Sequence, residues 1–71
     1  MTDWSAYAKG VLRAEMARKG MSYADLVRGL DATGVKETEA NLRNKVSRGS
    51  FTAAFLFQCL RVMGVTTLHL D

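Results

Sequence analysis

No proline interrupts this chain, and each of its periodic apolar segments is closed by a glycine, at Gly20, Gly34, Gly49 and Gly64. Proline inside a helix costs about 3 kcal/mol relative to alanine, whereas glycine just past a helix end takes the left-handed conformation that other residues resist. A chain lacking the first and punctuated by the second is suited to helices joined by tight stops. Its 71 residues allow one small domain, and a domain of that size buries only roughly 60% of the surface that its unfolded form exposes. With 48% apolar and 24% charged residues the chain is globular in composition rather than disordered.

Residues 4–19 set Trp4, Tyr7, Ala8, Val11, Leu12 and Met16 at the i, i+3, i+4, i+7 spacing of an amphipathic helix. Thr2, Asp3 or Ser5 is placed to cap its start, and Arg18 and Lys19 suit the negative end of its dipole. Gly10 costs roughly 1 kcal/mol of helix propensity, which points to a close helix approach there. A second helix is expected over about 22–33, opened by Ser22 with Asp25 in a capping-box pattern and buried through Leu26, Val27 and Leu30. Val35 follows Gly34 as an inward plug. A third helix is expected over about 38–48 with Thr38 as its cap, and a fourth over about 52–64 capped by Ser50 or Thr52.

The fourth segment is apolar on too much of its circumference. Phe51, Phe55, Leu56, Cys59, Leu60 and Met63 supply a core face, yet Ala54, Phe57 and Val62 lie outside it. A helix apolar nearly all round is buried on more than one side. Either the first helix covers the surplus or a second copy does, and we expect a homodimer through Ala54, Phe57, Arg61 and Leu68. The tail, residues 65–71, alternates weakly in β-branched residues and reads as a short extended segment that packs on the domain or pairs with its symmetry mate. The chain, 1–71, is expected to be one all-α domain with this tail.

The third segment is the most informative. Leu42 and Val46, four apart, form its whole apolar seam, so Asn41, Asn44, Ser47 and Arg48 face away from the core. Asn pairs bidentately with adenine and Arg with guanine in the major groove, which makes these four candidate base contacts. Lys36, Arg43 and Lys45 are candidate phosphate contacts. Glu37 and Glu39 oppose this unless they point away from the DNA backbone. The other account of the face is a solvated helix surface, for which exposed Asn, Ser and Arg need no further explanation.

The order Ser22, Leu26-Val27, Leu30, Gly34-Val35, Val46, Arg48-Gly49, then Phe55, Leu60 and Gly64, resembles the phage-repressor and Cro-like helix-turn-helix domains of bacteria. More narrowly, KETEANLRNKVSRGSF-x-AAF looks like the hallmark of a small bacterial family of uncharacterised domains near that superfamily. The resemblance implies a compact bundle of four or five helices and sequence-specific binding of double-stranded DNA by a dimer. Three positions depart from it. Tyr23 stands where relatives carry a phosphate-gripping glutamine, Ser47 stands where glutamate precedes the Arg-Gly pair, and the segment from Gly34 to Thr38 is longer than the usual turn.

Charge agrees with an anionic partner. The net charge is +3, and between Arg43 and Arg61 there are basic residues but no acidic one. A lone Cys59 excludes an internal disulfide, and its apolar neighbours point to a buried thiol rather than a nucleophile. His69 has no ligand-spaced companion, Glu15 and Asp31 read as isolated solvated acids, and the glycines form no phosphate cradle. Trp4 and Tyr23 read as packing anchors, not stacking platforms. No catalytic residue, metal, cofactor or small-molecule substrate is therefore expected. With no membrane-length apolar run and no leader pattern, the expected location is cytoplasmic. Two functions remain: a dimeric DNA-binding transcriptional regulator, or a protein interaction module that uses the same fold through the surface around Phe57.

Overall fold

The computed structural model describes residues 3–70, which form α1 (Trp4–Lys19), α2 (Tyr23–Ala32), α3 (Glu39–Arg48) and α4 (Ala53–Val62), with no strand among them. Each helix begins at a side chain that accepts a backbone N–H three residues on: Asp3 from Ala6, Ser22 from Asp25, Thr38 from Asn41 and Thr52 from Phe55. Asp3 rather than Ser5 thus caps α1, and Thr52 rather than Ser50 caps α4; Thr2 lies outside the described residues. At α2 the cap is reciprocal, since the Asp25 carboxylate accepts the Ser22 N–H at 2.9 Å. That backbone hydrogen bond, then the Ser22 hydroxyl and then the nearby Arg28 charge, hold the Asp25 pKa below the ordinary carboxylate value, against a small opposing effect of burial.

One apolar cluster joins all four helices: Leu12 and Met16 of α1, Leu26 and Leu30 of α2, Leu42 and Val46 of α3, and Phe55, Cys59 and Leu60 of α4, closed by Met63. Val35 packs against it, as do Val65 and Leu68 from the stretch after α4. The Cα radius of gyration, 11.5 Å, is near the roughly 11 Å of a compact chain this long. Residues 65–70 carry neither helix nor strand, and Leu70 remains largely exposed.

Three positions of α1, Trp4, Glu15 and Gly10, differ from what the sequence leads one to expect. Trp4 is 70% exposed and meets Tyr7 edge-on at 5.7 Å, so it is not a core position. The first turn of α1 meets α3 through the Ser5 carbonyl rather than through Trp4, which leaves that ring in solvent. Glu15, expected in solvent, is 4% exposed. It sits beside Met16 and one turn beyond Leu12, on the side that the stretch after α4 covers. One of its oxygens pairs with Arg18 at 3.1 Å, while Oε1 has no hydrogen-bond partner among the described residues. Asp31, by contrast, is exposed and pairs with Lys36.

Gly10 faces open space, with nothing within 4 Å of where a Cβ would stand. The close approaches lie elsewhere. Gly49, in the left-handed region at φ 67°, would place a Cβ 2.1 Å from the Ser5 carbonyl oxygen, so the first turn of α1 rests on the end of α3. Gly29 would place one 2.2 Å from Val62 Cγ1, so α2 and α4 interlock there. Part of the surplus apolar surface of α4 is thus covered by α2, not by α1. Phe57 is left 63% exposed.

Candidate nucleic-acid interface

The seam that fastens α3 is fully buried: Leu42 and Val46 are both 0% exposed. Their burial fixes the rotation of the helix about its own axis. Asn41, Asn44, Ser47 and Arg48 are accordingly all exposed on the outer side. Asn44 lies near the centre of that face, with Arg43 and Ser47 toward one margin and Asn41 and Lys45 toward the other, as the 3.6-residue period requires. An exposed Asn at the centre with Arg48 one turn on is an arrangement able to meet base edges.

The cations expected on phosphates behave differently from one another. Lys36 is exposed and paired with Asp31. Arg43 donates to Glu39 at 2.6 Å, an i,i+4 pair with both side chains about half exposed, and its guanidinium lies 4.9 Å from the centroid of the Tyr23 ring. Exposed pairs of this kind contribute only about 0–1 kcal/mol and are readily exchanged for another anion. Lys45 is half-buried, sits over the Phe55 ring at 4.8 Å and pairs with Glu37, whose side chain is 8% exposed. Withdrawing Lys45 would strand a buried carboxylate, a far larger cost than breaking a surface pair. Glu37 therefore points inward and Glu39 is compensated, so neither stands as a bare charge on the outer face.

Sequence periodicity did not single out the other margin of α3. Lys9 and Arg13, four apart on α1 and so on one face of it, reach Ser47 from 38 and 34 residues away in the chain. Lys9 Nζ donates to the Ser47 carbonyl at 3.2 Å, and Arg13 Nη2 donates to the Ser47 hydroxyl at 3.5 Å. Arg13 Nε also donates to the Tyr23 hydroxyl at 3.4 Å. Tyr23 thus holds one arginine on its hydroxyl and a second over its ring. Only the type and i,i+4 spacing of Lys9 and Arg13 were visible beforehand; their convergence on α3 depends on the packing at Gly49.

The expected self-association residues lie on α4 and in the stretch after it. Phe57, Arg61 and Leu68 line one groove together with Leu60 and Val65, and Ala54 is exposed one turn earlier on α4. Cys59 is fully buried, and its thiol pKa is pushed up to about 12, first by burial and then by the Glu37 charge, against the opposing effect of Lys45. Among the described residues no three His, Cys, Asp or Glu side chains gather as a metal site, and no helix is long and apolar enough to cross a membrane.

Comparison with known proteins places residues 4–68 in a family described as a domain of unknown function, DUF6471, and the chain belongs to that family. No curated protein and no solved structure matches it.

Proposed function

We propose that this DUF6471 domain is a sequence-specific DNA-binding protein, a dimeric transcriptional regulator of helix-turn-helix type akin to the Cro and phage-repressor domains. In this reading α2 braces α3, and α3 lies in the major groove with Asn41, Asn44 and Arg48 toward base edges. Lys36 and Arg43 exchange their carboxylates for phosphates. Lys45, tied to Glu37, contributes through its field rather than by contact. The observation that carries the proposal is the complete burial of Leu42 and Val46 beneath a bare Asn44 and Arg48. The groove around Phe57 and Leu68 supplies the two-fold contact. Selection from a random-duplex library at moderate salt is the test. Enrichment of a palindrome with half-sites about one helical turn apart supports the reading, and recovery of no sequence above background overturns it.

A second reading rests on Phe57, whose 63% exposure is large for an aromatic ring. Here the domain is a protein interaction module that works through that groove and binds no DNA. Phe57→Glu then disrupts its complex, and no duplex is bound at any salt concentration.

A further inference from the structure

We infer that Lys9 and Arg13 of α1 form the principal phosphate anchor of this domain, gripping one DNA strand along the α1 margin of α3, with Ser47 and Tyr23 as the residues that position them. The inference rests on the DNA-binding reading and adds to its backbone contacts a helix outside the α2–α3 pair.

The two margins of α3 differ in what their cations already hold. On one, the Lys45 charge is spent on a buried carboxylate and cannot leave without stranding it. On the other, Lys9 and Arg13 donate to neutral oxygens: a carbonyl, a hydroxyl and a phenol. Ion pairs among the described residues engage Arg18, Arg28, Lys36, Arg43 and Lys45, and neither Lys9 nor Arg13. The contacts of Arg13, at 3.4 and 3.5 Å, lie at the long limit for hydrogen bonds. They aim the guanidinium without binding it strongly, so a phosphate oxygen replaces them at small cost and gains a charge-assisted bond.

Backbone packing brings this margin together. Ser5, Lys9 and Arg13 form one i,i+4 row on α1, and the row runs along the end of α3 because Gly49 admits the Ser5 carbonyl where a side chain would stand. Lys9 and Arg13 therefore meet Ser47, one residue before the exposed Arg48. With Arg43 over the Tyr23 ring, the same margin carries cations from two helices. A phosphate backbone running beside α3 meets this row along its length, while base edges face Asn44. Ser47, its hydroxyl and carbonyl both occupied by α1, is a positioning residue here rather than a reader of bases.

The test is the salt dependence of duplex affinity for the full chain, followed by fluorescence anisotropy between 50 and 200 mM salt with a duplex recovered by selection, or a random 20-base-pair duplex if selection recovers none. Each phosphate contact contributes about 0.9 to the slope of log affinity against log salt. Lys9→Gln with Arg13→Gln should lower the slope by about 1.8, so the variant loses roughly tenfold less affinity across that range than the parent. Arg13→Lys should restore most of what Arg13→Gln removes. Circular dichroism and thermal unfolding of each variant confirm the fold. A parental slope in the folded double variant overturns this inference and leaves the DNA-binding reading standing. Absence of duplex binding by the parent protein at every salt concentration overturns both.

Discussion

Helices α3 and α4 are built to the same local plan and turned to opposite ends. Each has ten residues, and each starts at a threonine whose hydroxyl accepts the N–H three residues later. Each also buries a short row of apolar side chains in the shared core. Their outer faces have nothing in common. That of α3 offers Asn41, Asn44 and Arg48, with cations at its margins; that of α4 offers Ala54, Phe57 and Gln58, with Arg61 one turn further on. Capping and seam burial therefore decide where a helix lies, and the residues left over decide what it can meet. The two faces are separate surfaces for recognition and for self-association in the proposed regulator.

The comparison breaks most severely if either helix is detached from the core. Phe55→Ala in α4 should cost about 3–5 kcal/mol and Leu42→Ala in α3 about 2–5 kcal/mol, both measured by urea unfolding. Equal, near-zero losses would mean that neither row is a fastener. Next in size is Gly49→Ala, which meets the Ser5 carbonyl and a left-handed backbone at once. It should cost roughly 2 kcal/mol or more, whereas Gly10→Ala, facing open space, should gain up to about 1 kcal/mol from helix propensity.

On the outer faces the expected losses are in binding. Asn44→Ala should weaken the preferred duplex by about 1–3 kcal/mol relative to a scrambled one, with the unfolding midpoint unchanged. Phe57→Glu should abolish self-association in sedimentation experiments and leave contacts to a single half-site intact. The shared plan itself is tested by Thr38→Ala and Thr52→Ala, each expected to cost about 1 kcal/mol. A large difference between them would show that the two caps are not equivalent.

The smallest effect is one of pH. The Asp25 pKa is lowered in the folded state, so its contribution to stability is fully present above the ordinary carboxylate value and is lost as pH falls through the lower folded value. Acid titration of Asp25→Asn against the parent protein should show the two stabilities converging below about pH 4.

Much of the scaffold was legible because it is local. The caps at Ser22 and Thr38 and the Leu42–Val46 seam depend on neighbours within a turn, which the order of residues states directly, and at α4 that order narrows the cap to Ser50 or Thr52. What escaped depends on distance in the chain. Trp4 has the right period to be buried but its ring stays in solvent while the backbone beside it meets α3, and Glu15 has the wrong chemistry to be buried yet lies under residues some fifty positions later. Lys9 and Arg13 look like any solvated pair on a helix until α1 is laid against α3. The glycine that admits a neighbouring backbone was sought at position 10 because it interrupts a helix. It is found at 49, where a helix stop doubles as a contact, while Gly29, which no periodicity marks, admits the Val62 side chain instead.

The fit of Val62 into the space above Gly29 has a consequence for how such sequences can drift. A methyl group gained at the first position must be given back at the second, so the two sites can change only as a couple. Across the family, residue 29 should enlarge only in chains where residue 62 has shrunk, and chimaeras that exchange α2 or α4 between members should fail wherever that trade is split.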